Sequence, residues 1–464
     1  MWKWKSIGAL GTFAGSTYFV ADSRLVHAKS SPEQADYISM PPGMTTRTHL
    51  QPAFDTHGAI RGEGMARPEL AEMQLRHVQV FFRHGARTPL RILTWMDQPE
   101  WPKDKILGDP PLPAVTYTTT DVHGQLVPSG PYEAMYQKII FKGGTPAGQL
   151  TKTGKEQVYE LGRRIRGDYI EKRHLIAPTF NASEVYVRST NMMRTIESAR
   201  WLLSGIFGHN KRGDKIIIHT EPAEREILYP NHSFCRQLKL FNKKLFKELD
   251  ASIPGLREDR AQLQRLLEYS EEANNKQKLN YVDLRDEIIA RQAHGITVPE
   301  KALTMMNSIE LYAVRMLTSM VSGSGRKIRK EILRLACGPV IHMIRDNMDM
   351  SLRNDGFYKL NLYACHDSTL MALLVTFGIF DGKWPPFAAD LVFETYEDKY
   401  GDAWVRVMYL GDVQKLSNAE TDEVISMDSF KALIGTYAVS PDKYKEECEV
   451  EADDGEVEGR SPGL

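Results

Sequence analysis

Short runs of β-branched and aromatic residues alternate with longer amphipathic patterns along much of this sequence, and this alternation restricts its fold more than any other feature. The patterns at residues 153–170 and 191–207 place apolar side chains three and four positions apart, which predicts helices. Elements that alternate in this way pack as layers, with helices covering the faces of a sheet. We therefore predict an α/β fold with a central, mostly parallel sheet flanked by helices. The predicted strands are residues 77–82, 184–187, 215–219, 359–364, 391–396 and 404–410.

The β-rich runs stop at residues 222–329, where the sequence is charged and helical in pattern. Helical patterns occur there at residues 258–270 and 281–293. We interpret this stretch as an α-helical cap domain inserted into the α/β core. The core is then discontinuous and consists of residues 73–221 and 330–446.

The two ends of the chain are predicted to lie outside the folded core. Residues 1–72 are interpreted as a targeting segment followed by a leader or linker, because Lys3 and Lys5 precede an apolar run at residues 7–21. That run is shorter than the ~20 residues that span a bilayer. A mitochondrial presequence, a secretory signal and a marginal signal anchor all remain open. Residues 447–464 are acidic and lack aromatic side chains, which predicts a disordered tail.

Composition excludes several classes of protein before any motif is considered. Lysine and arginine total 59 and aspartate and glutamate total 60, a formal net charge of −1. This balance argues against a broad electrostatic surface for nucleic acid. The four cysteines form no CxxC pair, so a zinc ribbon or thioredoxin-like motif is not supported. Buried thiols and one or two disulfides both remain open for Cys235, Cys337, Cys365 and Cys448.

One short motif concentrates cationic and nucleophilic groups at the end of a predicted strand. Residues 83–89, with the sequence R-H-G-A-R-T-P, directly follow the first predicted strand. Arg83, His84 and Arg87 therefore lie at the carboxyl end of that strand, where ligands bind in open α/β sheets. Gly85 is expected to let the backbone approach a ligand, and the final proline stops the strand. Two planar, permanently charged guanidiniums and an imidazole are therefore held together in one turn.

R-H-G-x-R-x-P is the signature of the histidine acid phosphatase family, and the sequence resembles that family from about residue 73 to residue 448. The resemblance implies a histidine-phosphatase core and acid phosphatase activity. Arg188, at the end of the second predicted strand, matches the family's third phosphate-binding arginine, and His366-Asp367 matches its catalytic pair. Asn191 replaces an aspartate that is common in the wider family, which weakens any hydrogen-bonding role there. Further matching stretches are residues 148–151, 187–191, 228–231 and 384–387.

The resemblance, together with the chemistry of phosphate monoesters, gives each of these side chains a predicted role. The transition state spreads charge over three equatorial oxygens, so cations must line the pocket. His84 is the predicted nucleophile, with its other ring nitrogen donating to a backbone carbonyl. His366 is predicted to donate to the equatorial oxygens, and Asp367 to protonate the leaving alkoxide and then activate water. No metal or other cofactor is predicted. The predicted phosphate-binding residues are Arg83, Arg87 and Arg188.

Within the family, the likeness is strongest to members that act on lysophosphatidic acid, which implies hydrolysis to monoacylglycerol and inorganic phosphate. This substrate needs an apolar groove beside the phosphate site. Phytase-like and phosphoxylose phosphatase activities are alternatives, and a non-catalytic phospholipid-binding module is disfavoured because binding alone needs neither His84 nor His366-Asp367. The candidates for the apolar groove are Trp95, Trp101, Tyr132, Trp384 and Phe387. The basic residues that would favour a phytase are Lys243, Lys244, Lys247, Arg257 and Arg260.

The predicted partner is a small phosphorylated lipid, with no nucleic acid or protein partner and at most a peripheral association with a membrane. The resemblance implies a mitochondrial location. The secretory pathway, entered through an N-terminal signal anchor, is the alternative.

Overall fold

The computed structural model describes residues 69–209, 215–274, 278–323, 326–353, 355–356 and 358–449. The predicted targeting segment and nearly all of the predicted leader lie outside these residues. All of the described residues belong to one compact unit, so the division into a core and a cap domain stays a prediction. In the part of the chain that the structure describes, no helix has the length and apolar character needed to cross a bilayer.

Nine strands form a single sheet within the described residues. They are β1 Gln74–Arg83, β2 Tyr117–Thr120, β3 Val185–Ser189, β4 Ile216–His219, β5 Leu360–Cys365, β6 Asp390–Glu397, β7 Ala403–Tyr409, β8 Asp412–Val413 and β9 Ile425–Ser426. The strand order is β2-β4-β3-β5-β1-β6-β7-β8, with β9 also paired to β7. The first five strands in this order are parallel, and the others pair antiparallel.

The α/β fold is confirmed, and each of the six predicted strands is present. The sheet is mixed, however, and the prediction of a mostly parallel sheet describes only the half from β2 to β1. The connection between β6 and β7 is residues 398–402, far shorter than the dozen or more residues that a parallel crossover needs. Three strands were not predicted. Strand β2 is a half-buried Tyr-Thr-Thr-Thr edge without apolar alternation, and β8 and β9 have two residues each.

Helices cover both faces of the sheet. The helices among the described residues are α1 Lys103–Ile106, α2 Pro131–Tyr136, α3 Lys152–Arg166, α4 Met193–Phe207, α5 Arg236–Ser252, α6 Leu256–Leu266, α7 Tyr281–Ala293, α8 Glu300–Leu303, α9 Met306–Ser322, α10 Arg326–Arg353, α11 Asp367–Thr376, α12 Met427–Ile434 and α13 Pro441–Cys448. Val80 and Phe82 of β1 pack in the apolar cluster with α3 and α4, whereas Phe81 packs on the opposite face with α10 and α11. This double coverage explains why every side chain of β1 from His77 to Arg83 is buried.

Helices α5 to α9 occupy the stretch that was predicted to be an α-helical cap. No strand occurs among the described residues of 222–329, in agreement with the helical pattern of the sequence. Helix α7 has the same bounds as the pattern at residues 281–293.

Two of the four cysteines form a disulfide, and the other two are buried thiols. Cys235, just before α5, is bonded to Cys448 at the end of α13. Cys337 and Cys365 are free and buried. Because α13 runs through residue 448, the predicted tail boundary at residue 447 is wrong by at least two residues. The remainder of that tail, from residue 450, lies outside the described residues.

Candidate active site

Three neighbouring parallel strands bring the predicted catalytic segments to one edge of the sheet. Strand β5 pairs with β1 on one side and with β3 on the other, with Arg83 opposite Cys365 and Ser189 opposite Ala364. The segments that leave these strands therefore meet at their carboxyl ends. The rings of His84 and His366 lie edge to face with centroids 5.6 Å apart. The predicted meeting of the motif at residues 83–89 with the His366-Asp367 pair is confirmed.

His84 is held in the tautomer that a nucleophile needs. Its Nδ1 lies 2.8 Å from the carbonyl oxygen of Gly85, and because a carbonyl only accepts, Nδ1 carries the proton. The Nε2 atom is then an unprotonated nitrogen, and it has no hydrogen-bond partner among the described residues. Burial, followed by the positive charges of Arg83 and Arg194, lowers the pKa of His84 well below its usual value. The imidazole is therefore neutral with its lone pair available.

Gly85 allows the motif to pack closely against helix α3. A Cβ atom at Gly85 would lie 2.1 Å from the carbonyl oxygen of Gly154, in the first turn of α3. The reciprocal Cβ at Gly154 would lie 2.1 Å from the carbonyl oxygen of Ala86. The glycine thus permits close packing of the motif against α3, and the expected close approach to a ligand stays a prediction. Thr151, the N-cap of α3, also donates to Ala86 over 3.0 Å.

Arg83 links the motif to the predicted proton donor. Its side chain is fully buried, and Nη2 lies 3.0 Å from Oδ2 of Asp367. Nη1 donates to the carbonyl oxygen of Pro385 over 2.8 Å, and the guanidinium carbon lies 4.4 Å from the ring centroid of Phe387. Burial lowers the pKa of Arg83 to about 9, with Asp367 acting in the opposite direction. Arg83 therefore remains charged at neutral and acidic pH.

Arg87 is bound by a residue that sequence reasoning missed. Its Nη2 and Nη1 atoms donate to the two carboxylate oxygens of Asp286 over 2.8 Å and 3.3 Å. Asp286 lies on α7 and also accepts from the backbone N–H of Leu90 over 2.8 Å. Nothing in the local sequence distinguishes Asp286 from the other acidic residues of that charged helix.

Arg188 does not occupy the position that was predicted for it. Its Nη2 donates to Glu226 over 3.1 Å, and its charge is absent from the groups that shift the pKa of His366. The reason is the alternation of side chains along β3. Arg188 shares a face with Tyr186, which stacks on His219, whereas Val187 packs in the α3–α4 cluster on the opposite face.

Arg194, six residues later, lies where the third guanidinium was expected. It is 1% exposed in the first turn of α4, and none of its three nitrogens has a hydrogen-bond partner among the described residues. After burial, its charge is the strongest contribution that lowers the pKa of His366. The sequence contains one indication of this role for Arg194. This arginine lies at the start of the helix that follows β3, and a side chain at that position points back towards the edge of the sheet. The structure therefore replaces Arg188 with Arg194 beside the two histidines.

His366 and Asp367 are each oriented by a neighbouring side chain. The Oγ1 atom of Thr190 lies 3.0 Å from Nε2 of His366, and Nδ1 has no partner among the described residues. Trp384 donates its indole N–H to Oδ2 of Asp367 over 2.9 Å, and the N–H of Ser368 donates to Oδ1 over 2.8 Å. Asp367 is thereby fixed beside Arg83 at the start of α11.

An apolar cleft adjoins Arg194 and His366. Its lining combines Arg194 and His366 with three apolar residues of α9, two tyrosines of α2 and three residues from the segment between β4 and α5. Of the five aromatic residues proposed for such a groove, only Tyr132 lines it. Trp384 and Phe387 contact Asp367 and Arg83, while Trp95 and Trp101 pack elsewhere, against Tyr269 and Phe141. The cleft is lined by Tyr132, Tyr136, Met192, Arg194, Tyr229, Pro230, His232, Leu317, Met320, Val321, His366 and Ser368.

Comparisons with known proteins agree with this geometry. The model of the histidine phosphatase superfamily (branch 2) matches residues 74–410. Lysophosphatidic acid phosphatase type 6 of Homo sapiens is 36% identical over 391 residues, which cover 83% of this chain and 89% of that protein. Its counterpart in Bos taurus is 38% identical over 382 residues, with 81% and 86% covered. The solved Hafnia alvei phytase in complex with tartrate has a TM-score of 0.54 at 15% identity, covering 82% of this chain and 100% of that chain, which supports the fold alone.

Proposed function

The chain belongs to branch 2 of the histidine phosphatase superfamily and is a phosphatase of the histidine acid phosphatase type, and we propose that it hydrolyses lysophosphatidic acid to monoacylglycerol and inorganic phosphate. The observation that carries the proposal is the apolar cleft that opens beside Arg194 and His366. A lysophospholipid presents one phosphate and one acyl chain, so it needs cations and an apolar wall side by side. The similarity to lysophosphatidic acid phosphatases supports the same substrate.

In the proposed mechanism, Arg83, Arg87 and Arg194 bind the phosphate dianion. Arg194 is already buried without a hydrogen-bond partner among the described residues, so an anion would satisfy its three nitrogens. Burial and three cations lower the pKa of His366, and a phosphate dianion beside it would oppose that effect. A protonated His366 then donates to an equatorial oxygen.

The chemical steps use His84 and Asp367. Nε2 of His84 attacks phosphorus in line, the bond from phosphorus to the glycerol oxygen breaks, and Asp367 gives its proton to the departing alkoxide. Water then attacks the phosphohistidine while Asp367 takes a proton, which releases inorganic phosphate and restores both side chains. Because Asp367 must be protonated for the first step, the rate is expected to be highest under acidic conditions.

A phytase-like activity is not favoured by the lining of the cleft. Inositol phosphates carry several dianionic groups, which require several cations. The basic residues that would favour a phytase do not line the cleft, and one of them, Arg260, pairs with Asp250 over 2.7 Å. Apart from Arg194, the lining contains no arginine or lysine among the described residues.

The test compares three substrates with the full chain from about pH 4 to pH 8, in the presence of a metal chelator. The substrates are lysophosphatidic acid, phytate and a small aryl phosphate. We expect the highest kcat/KM for lysophosphatidic acid and no loss of activity with chelator. Turnover of phytate alone would refute the lipid assignment, and loss of all activity on chelation would refute the metal-free mechanism.

A further inference from the structure

Helix α7 has four buried charged side chains close to the active site. Arg285, Asp286, Glu287 and Arg291 are consecutive or nearly consecutive on this helix, and none is more than 5% exposed. Burying an ionised side chain costs several kcal/mol unless its partners compensate for the lost water. Asp286 contacts Arg87, and Arg285 contacts Trp384, which is hydrogen-bonded to Asp367.

Asp286 fixes the geometry of Arg87. Its two carboxylate oxygens accept from Nη2 and Nη1 of Arg87, and Oδ2 also accepts from the backbone N–H of Leu90. A bidentate pair of this kind fixes the plane of the guanidinium as well as its position. Asp286 therefore holds both the phosphate-binding side chain and the backbone that follows the R-H-G-x-R-x-P motif.

Arg285 stacks on Trp384, and Trp384 is hydrogen-bonded to Asp367, the proposed proton donor. Its guanidinium carbon lies 4.4 Å from the ring centroid of Trp384, and the indole N–H of Trp384 donates to Oδ2 of Asp367 over 2.9 Å. All three side chains are fully buried. On its other side Arg285 forms an ion pair with Glu310 of α9, the helix that supplies Leu317 and other residues to the cleft lining.

We propose that Arg285 and Asp286 are positioning residues, through which α7 holds Asp367 ready for proton transfer and Arg87 ready for phosphate binding. The proposal deepens the proposed function and rests on its assignment of Arg87 and Asp367. Neighbouring residues on a helix point about 100° apart, so one short stretch of α7 can serve two separate groups of the site. Misplacement of a catalytic group by about 1 Å can cost on the order of a hundredfold in rate.

Asp286→Asn separates positioning from simple electrostatics. The substitution removes a negative charge beside the phosphate site, so charge alone predicts tighter binding of phosphate. Loss of the bidentate partner of Arg87 predicts the opposite. We expect the inhibition constant for inorganic phosphate, measured against hydrolysis of a small aryl phosphate, to rise about tenfold. A constant that is unchanged or lower would overturn the role of Asp286.

Arg285→Lys tests the second half of the proposal and does not depend on the stability of the first variant. Lysine keeps the charge that faces Glu310 but loses the planar group that stacks on Trp384. We expect kcat to fall about tenfold and the pH optimum to move, with little change in the inhibition constant for phosphate. Unchanged kcat and optimum, or an equal change in phosphate binding, would overturn the role of Arg285.

Glu287→Gln is the matched control on the same helix. Glu287 is as buried as Asp286, but it pairs with Arg291 over 2.7 Å, and Arg291 pairs with Asp97. Kinetic constants close to those of the wild type are expected, and a loss as large as that of Asp286→Asn would mean that any disturbance of α7 impairs the site, against the proposal. Hydrolysis of the aryl phosphate by the wild-type chain is measured first, because its absence would instead refute the proposed function.

Discussion

The end of β3 and the first turn of α4 each contribute a buried arginine, yet the two arginines have opposite surroundings. Arg188 is 8% exposed and donates to Glu226, which neutralises it. Arg194 is 1% exposed, and its guanidinium nitrogens have no hydrogen-bond partner among the described residues. Arg188 is neutralised at a distance from the two histidines and contributes to the fold, whereas Arg194 acts on both histidines without a carboxylate bonded to it and so suits an anionic ligand.

The largest effect is expected from Arg194→Met. Removing one preorganised donor from a charged transition state typically costs about 10²–10³ in kcat, or roughly 3 to 4 kcal/mol. We expect kcat/KM for a small aryl phosphate to fall in that range. Thermal unfolding should occur at the same or a higher temperature, because a poorly compensated buried charge has been removed. Activity within threefold of the wild type would show that Arg194 does not bind the phosphate.

Arg188→Met should affect stability and leave catalysis nearly intact. The substitution leaves Glu226 buried without its cation, and we expect a loss of about 3 kcal/mol in the free energy of unfolding, measured with denaturant. Burial already raises the pKa of Glu226, so this carboxyl can take up a proton and limit the loss. The double variant Arg188→Met/Glu226→Gln should recover most of the stability. A hundredfold fall in kcat of the folded single variant would return the phosphate-binding role to Arg188.

His77 extends the comparison to a buried basic group outside the site. Burial lowers the pKa of His77 from 6.5 to about 4, while its hydrogen bond to Asn361 acts in the opposite direction. The unfolded chain binds this proton below pH 6.5 and the folded chain does not, so the contribution of His77 to stability is lost as the pH falls from 6.5 towards 4. Between pH 6.5 and pH 5 the loss is about 2 kcal/mol. Denaturant unfolding of His77→Gln should show a shallower pH dependence than the wild type, and identical slopes would contradict this.

The smallest expected effect is a change in the titration of His366. After burial, the charge of Arg194 lowers this pKa most, followed by those of Arg83 and Arg87, and Arg188 is not among these charges. The pKa of His366, followed by NMR of the imidazole protons, should therefore rise in Arg194→Met and stay unchanged in Arg188→Met. Equal shifts in both variants would remove the electrostatic distinction between the two arginines.

The sequence was most informative where local pattern and strand ends coincide. The motif at residues 83–89 and the His366-Asp367 pair both follow long buried strands, and adjacent parallel strands necessarily bring such ends together. The bounds of α7 also followed from its periodicity. The choice between Arg188 and Arg194 depended on which face of β3 the side chain of Arg188 would take, and a single arginine at a strand end does not specify that face.

Other features depend on contacts that are distant in the sequence. The pairing of Asp286 with Arg87 joins residues 199 positions apart, and no local rule relates them. The close packing of Gly85 against Gly154 joins residues 69 positions apart, and the sequence gives no local sign of it. The antiparallel pairing of β6 with β7 could have been predicted from the sequence. The connection between these two strands is too short for the crossover that a parallel pair needs.

The disulfide bond between Cys235 and Cys448 joins residues that are 213 positions apart in the sequence. The loop that it closes contains α7, Trp384 and His366-Asp367, but not the R-H-G-x-R-x-P motif. In the chain-entropy model, a closed loop of this size restricts the unfolded ensemble by roughly 5 kcal/mol. Material expressed in a reducing bacterial cytosol would lack this restriction and unfold more readily. A protease cut inside the loop of the oxidised protein would leave both pieces joined, so the nick would be visible on a gel only after reduction.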